Sequence, residues 1–195
     1  MIDENEFFRE ITLRLCGHLE IEEGLRACIK YLSRHMPADT LYLERNEFEL
    51  GAMRIVARAD ATSCRRMDQL ISYNEQAKAA MAQWAEEYRA GRMPEVFVIN
   101  NPQEEPVTRN LLGALGEPPS SVLSLPLVIE NQIVGALALL AEGDDPRVIE
   151  AAADLADRGV CSVSIICPSA GRSGQHDPIH RHGAVFILQK VHFGC

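Results

Sequence analysis

The 195-residue chain lacks any apolar run of about 18 residues, so nothing in it reads as a transmembrane helix. It also lacks a basic excess. Its 28 Asp and Glu outweigh 19 Lys and Arg for a formal charge of −9, and binding phosphate backbones requires the opposite sign. None of the six cysteines (Cys16, Cys28, Cys64, Cys161, Cys167, Cys195) has a CxxC partner, which argues against a zinc knuckle or thioredoxin-like centre. A GxxxxGK[ST] phosphate loop is absent, so ATP hydrolysis is not expected. The start, MIDENEFFRE, is acidic and is not expected to be a secretory signal. The expectation is a cytoplasmic protein with reduced thiols, no direct nucleic-acid contact and no membrane association. Internal repeats are absent as well.

What is present is core material. Hydrophobic residues make up 47% of the chain and charged residues 24%, the balance of an ordinary globular domain. Phe7, Ile11 and Leu15 fall four apart, widened by Phe8 and Leu19, and predict an amphipathic helix ended by Gly17. Ile21, Leu25, Cys28, Ile29 and Leu32 predict a second helix, with Pro37 just beyond it. The period then changes. Asp39 to Arg45 and Ala52 to Ala59 read as strands of a hairpin. In the second, Met53, Ile55, Ala57 and Ala59 are expected on one face and Arg54, Val56 and Arg58 on the other.

The next stretch, DATSCRRMDQLIS, has no clean period. A helix follows it, with Ser72 and Glu75 at capping-box spacing and Ala77, Met81, Trp84 and Tyr88 as its stripe. Val96 to Ile99 is a short strand candidate, and Val107 to Leu115 a short helix ending at Gly116. Two apolar runs, Val122 to Ile129 and Ile133 to Leu140, are separated only by Glu130, Asn131 and Gln132. Runs this continuous belong to central strands covered on both faces, and Gly135 is expected to let backbone or ligand approach closely. Asp145 and Pro146 then suit the cap and first position of a last helix through Val148, Ile149, Ala152, Leu155 and Ala156.

The stretches EEGLRACIKYLSRHMPADTLYLERNE, GAMRIVARAD and SVLSLPLVIENQIVGALALLAEG together resemble a GAF domain. The most telling piece is Leu125-Pro126-Leu127, a turn, then Ile133-Val134-Gly135-Ala136-Leu137. The resemblance runs from about Glu4 to Asp157, and the paired N-terminal helices give it the flavour of the sensor domain of bacterial sigma-54-dependent activators. It implies an α+β fold: a central antiparallel sheet with helices on one face and a loop and short-helix ligand region on the other. That region would span Ala61 to Pro119. The expected division is a GAF sensory domain over 1–158 and an atypical tail over 159–195, disordered or the product of a frameshift. The tail holds four of the six histidines and three of the six cysteines.

Candidate chemistry is sparse. His176, His180, His182, His192 and Cys195 offer metal-ligand types, but their spacing matches no structural site, and a disordered His-rich tail is the favoured reading. Cys64 lies beside Arg65 and Arg66, whose charge would lower a thiol pKa; the alternative is an ordinary loop cysteine. Arg65, Arg66 and Arg109 are of a type that clamps anions, against a plain solvated face. Tyr73, Trp84 and Tyr88 are wall residues for a pocket, against plain core. The tentative ligand set is Cys64, Arg65, Tyr73, Trp84 and Arg109, with no catalytic residue, no metal and no identified cofactor. The expected function is non-enzymatic small-molecule sensing or signal relay within a sigma-54-type regulator, the ATPase and DNA-binding parts lying outside this chain. The alternatives are a ligand-free GAF dimerisation module, as in a sensor kinase, and a GAF-fold methionine sulfoxide reductase. The width of the first helix's apolar stripe predicts a homodimer through the N-terminal helices, with Phe7 and Phe8 among the contacts.

Overall fold

The computed structural model describes residues 4–90, 97–99, 101–118, 120–129, 132–142, 162–166 and 185–189. Helices α1 (Glu4–Cys16) and α2 (Ile21–Leu32) are followed by strands β1 (Thr40–Glu47), β2 (Ala52–Asp60) and β3 (Cys64–Ser72). Then come α3 (Glu75–Arg89), β4 (Phe97–Ile99), α4 (Pro106–Leu115), β5 (Ser120–Ile129) and β6 (Gln132–Glu142), with β7 (Ser162–Ile166) and β8 (Val185–Gln189) beyond. The strands form one sheet in the order β3-β2-β1-β6-β5-β7-β8. β4 and β7 share the outer edge of β5, against Val122 to Ser124 and against Leu127 and Val128 respectively. All pairings are antiparallel except β5 with β7. The chain adopts the expected α+β fold, a central sheet with α1 and α2 on one face, and the other face carries helices α3 and α4. Within the segment expected to be a tail, Ser162–Ile166 and Val185–Gln189 are strands of this sheet.

The sheet divides two cores. On one face Ile11 and Leu15 of α1 and Leu25, Cys28, Ile29 and Leu32 of α2 pack on Leu41, Leu43, Leu123, Leu127, Leu137 and Leu139. On the other, Tyr42, Met53, Ile55, Val122, Ala138 and Leu140 pack against Tyr73 and against Ala77, Val107, Leu111 and Leu112 of α3 and α4. The two-residue period of β1 and β6 thus feeds both cores at once. This is why the β5–β6 hairpin reads as unbroken apolar sequence.

Three local expectations are corrected. The stretch 64–72, without a period in the sequence, is strand β3. It is the edge strand, its residues mostly exposed, so neither face is selected to be apolar. In β2 the alternation does not persist: a register shift at Val56 turns Ala57 and Ala59 to the α1/α2 face, whereas Met53 and Ile55 face α3 and α4. A bulge adds one residue and so reverses every side chain after it. The cap of α3 is Asn74, whose Oδ1 accepts the Ala77 N–H at 2.9 Å, in place of Ser72. The predicted last helix from Asp145, the side chains of Phe7, Phe8 and Tyr88, and the tail histidines and Cys195 lie outside the described residues. Among the described residues, no helix is long and apolar enough to cross a membrane.

Candidate functional site

The sheet face opposite α1 and α2 is not packed solid. A cavity of about 690 Å³ lies between it and helices α3 and α4, within the range of small-molecule sites. Its floor is Tyr42, Glu44 and Asn46 of β1, Met53 of β2, Val122, Ser124 and Pro126 of β5, and Gly135, Ala136, Ala138 and Leu140 of β6. Its roof is Met81, Trp84 and Arg89 of α3 and Val107, Leu111, Leu112 and Leu115 of α4.

The roof is held at defined points. Pro106 opens α4, and the Glu105 carboxylate accepts from the Val107 N–H (3.1 Å) and the Thr108 N–H (2.5 Å). Gly116, at φ +70°, ends it in the left-handed region that favours glycine. Asn110 ties α4 to the entrance of α3: its Oδ1 accepts the Asn74 N–H and its amide donates to the Ser72 carbonyl, both at 3.2 Å. Below, Gly135 lets β6 approach β1, for a Cβ there would stand 2.0 Å from the Glu44 carbonyl oxygen. The close approach expected at Gly135 is therefore against the strand residue that points into the cavity.

Polar groups stand at separate places in this apolar space. The Tyr42 hydroxyl donates to Glu117, and Arg58 Nε reaches both Tyr42 Oη (3.2 Å) and Glu117 Oε1 (3.3 Å). Arg58 also pairs with Asp60 at 2.8 Å. Burial and the Glu117 carboxylate hold the Tyr42 hydroxyl above the ordinary tyrosine range. The Tyr73 hydroxyl donates to Asn46 Oδ1 at 3.4 Å. Arg89 pairs with Glu86 at 2.6 Å, and both are exposed. Glu44 differs from all of these. It is 8% exposed, its carboxyl makes no hydrogen bond or ion pair among the described residues, and burial raises its pKa from 4.5 to about 8.

Of the five residues the sequence suggested for a ligand site, Trp84 lines the cavity. Tyr73 is buried in the same core but behind the wall. Cys64 and Arg65 lie on β3, away from it. Cys64 packs against the α1/α2 core, on the opposite face of the sheet. Its thiol is pushed up by burial and by its hydrogen bond to Glu23, the reverse of the activation that Arg65 and Arg66 suggested. Arg65 is exposed on the edge strand. Arg109 is a strut, donating to the Gln103 carbonyl (2.9 Å) and to Gln76 Oε1 (2.5 Å). The residues that sequence reasoning missed are Tyr42, Glu44 and Asn46. Their signal was the alternation in TLYLERNE, whose other face is Leu41 and Leu43. Among the described residues, no group of three or more His, Cys, Asp or Glu is placed to hold a metal ion.

No protein-family model matches the sequence, and neither does any curated protein. Solved structures that resemble the chain include several GAF domains. The blue-light absorbing form of the Thermosynechococcus elongatus PixJ GAF domain is 17% identical, covering 80% of this chain and 83% of its own, with a TM-score of 0.50. The A. aeolicus nlh2 GAF domain in an inactive state is 16% identical, covers 80% and 87%, and has a TM-score of 0.48. The phycocyanobilin-bound GAF domain of a cyanobacterial phytochrome is 14% identical, covers 81% and 92%, and also scores 0.48. The chain has a GAF-like fold. Its likeness to these proteins is one of architecture.

Proposed function

We propose that the chain is a non-enzymatic, cytoplasmic sensory module that binds a small molecule between its sheet and helices α3 and α4. The observation that carries this reading is the 690 Å³ cavity with its apolar walls and a few separated polar groups. Occupancy would be passed on through α3 and α4, which form the roof of the cavity and pack on the sheet beside it. The sigma-54 activator type is supported by the paired N-terminal helices. In that reading 1–158 is the sensor and the ATPase and DNA-binding parts lie outside this chain. The homodimer through α1 is part of the same proposal.

Thermal unfolding across a small-molecule library tests the sensing claim, because a ligand bound only by the folded state raises its melting temperature. A library without a saturable hit contradicts it and favours a ligand-free dimerisation module. The regulator type is tested by reading the genomic sequence downstream in all frames for an ATPase with a phosphate loop. Sedimentation of the wild type and of Phe7→Glu/Phe8→Glu tests the dimer; a wild type that stays monomeric at high concentration refutes it.

A further inference from the structure

Among the described residues that line the cavity, Glu44 stands out. A carboxyl group withdrawn from water loses hydration, and native proteins restore it with an ion pair or hydrogen bonds. Tyr42, Arg58, Asp60 and Glu117 do this for one another at one end of the floor. Arg54 does it for Glu47 at 2.8 Å. Glu44 sits on the same strand as Tyr42 and Glu47, more buried than Glu47, and has no such partner. Arg45, its neighbour on the strand, pairs with Glu47 at 2.5 Å, and Arg89, on the same cavity lining, pairs with Glu86. What faces the Glu44 carboxyl is the cavity itself.

Resting on the reading of that cavity as a ligand site, we infer that its ligand is a largely apolar small molecule carrying a protonated nitrogen, an amine or amidine, which seats on the Glu44 carboxylate. The chemistry selects this class. An amine or amidine cation supplies both the opposite charge and the donors that the carboxylate lacks, and such charge-assisted bonds are roughly twice as strong as neutral ones. An anionic ligand would bring Glu44 neither an opposite charge nor donors and would meet like charge once Glu44 ionises, and Arg89, the cation of the lining among the described residues, is already paired with Glu86. The body of the ligand would lie under Trp84, Leu111 and Leu112, where the walls are apolar.

Three probes of matched shape separate the possibilities: biphenyl-4-methylamine, biphenyl-4-methanol and biphenyl-4-carboxylate, titrated calorimetrically into the whole chain at pH 8.5, above the value to which burial raises the Glu44 carboxyl. The amine is expected to bind at least about tenfold more tightly than the alcohol, and the carboxylate most weakly, a margin of about 1.4 kcal/mol. In Glu44→Gln that margin should vanish while the alcohol binds as before. Equal binding of amine and alcohol to the wild type overturns the role of Glu44 and leaves the cavity as a ligand site. Absence of binding by all three overturns both. The wild-type comparison needs no variant, so a Glu44→Gln protein that fails to fold does not protect the inference.

Discussion

Glu44→Gln should change the stability of the free protein in a way that depends on pH. Burial holds the folded carboxyl at about 8, whereas the unfolded chain has the ordinary value near 4.5. Below about pH 4.5 both states are protonated and stability is at its full value. Between the two values the unfolded state loses its proton and the folded state keeps it, so wild-type stability falls as pH rises, and it levels off above about 8. At about 1.4 kcal/mol per pH unit, the fall from this one group is on the order of 4–5 kcal/mol as an upper bound. Glutamine has nearly the same shape and does not titrate. The variant should therefore lack this fall and be the more stable protein at pH 8.5. Tyr73, the titratable group that faces Glu44, is held above the ordinary tyrosine range by burial and stays neutral throughout the window. Other groups titrate alike in both proteins, so the difference between them isolates Glu44. Urea unfolding at pH 5, 6.5 and 8.5, with equal m-values, measures it. Identical pH slopes for the two proteins would refute the buried, unpaired assignment.

The remaining predictions probe the frame of the site. Gly135→Ala places a methyl 2.0 Å from the Glu44 carbonyl oxygen, so it must part β1 from β6 and cost about 3 kcal/mol or more in urea unfolding; an unchanged midpoint would contradict the pairing. Asn74→Ala removes the α3 cap and should cost about 1 kcal/mol, read in the same assay against Ser72→Ala, which should cost less. Removal of 159–195 should leave cooperative unfolding if that segment is a tail appended to the sensor; loss of cooperativity would make β7 and β8 part of the core.

Much of the frame was legible because both cores impose period on the strands and helices that touch them. Ile11 and Leu15 of α1, the stripe of α2, the β1–β2 hairpin and the β5–β6 hairpin with Gly135 follow directly from apolar spacing, whereas Leu19, read as part of the α1 stripe, lies beyond the helix and is exposed. β3 was illegible for the converse reason: at the sheet edge with exposed faces, residues 64–72 experience no selection for alternation. The bulge at Val56 was hidden because one inserted residue leaves composition unchanged while reversing the faces beyond it. The candidate site was less legible. Trp84 lay on a visible stripe, but the arginines and Cys64 drew attention through charge and reactivity, and their partners are on other surfaces. Glu44 resembled any polar residue of an alternating strand. Its significance comes from what is missing around it, which only the packed sheet reveals.

Trp84 provides the most direct test of the ligand cavity, since it is the only tryptophan of the chain and lines the space. Its emission should be followed while biphenyl-4-methanol, a neutral apolar probe, is titrated into the wild type and into Ala138→Phe, which fills the cavity from its floor. A saturable blue shift in the wild type, absent from a folded Ala138→Phe protein, is the predicted result. No shift in the wild type, or the same shift in both proteins, would contradict a small-molecule site between the sheet and α3 and α4.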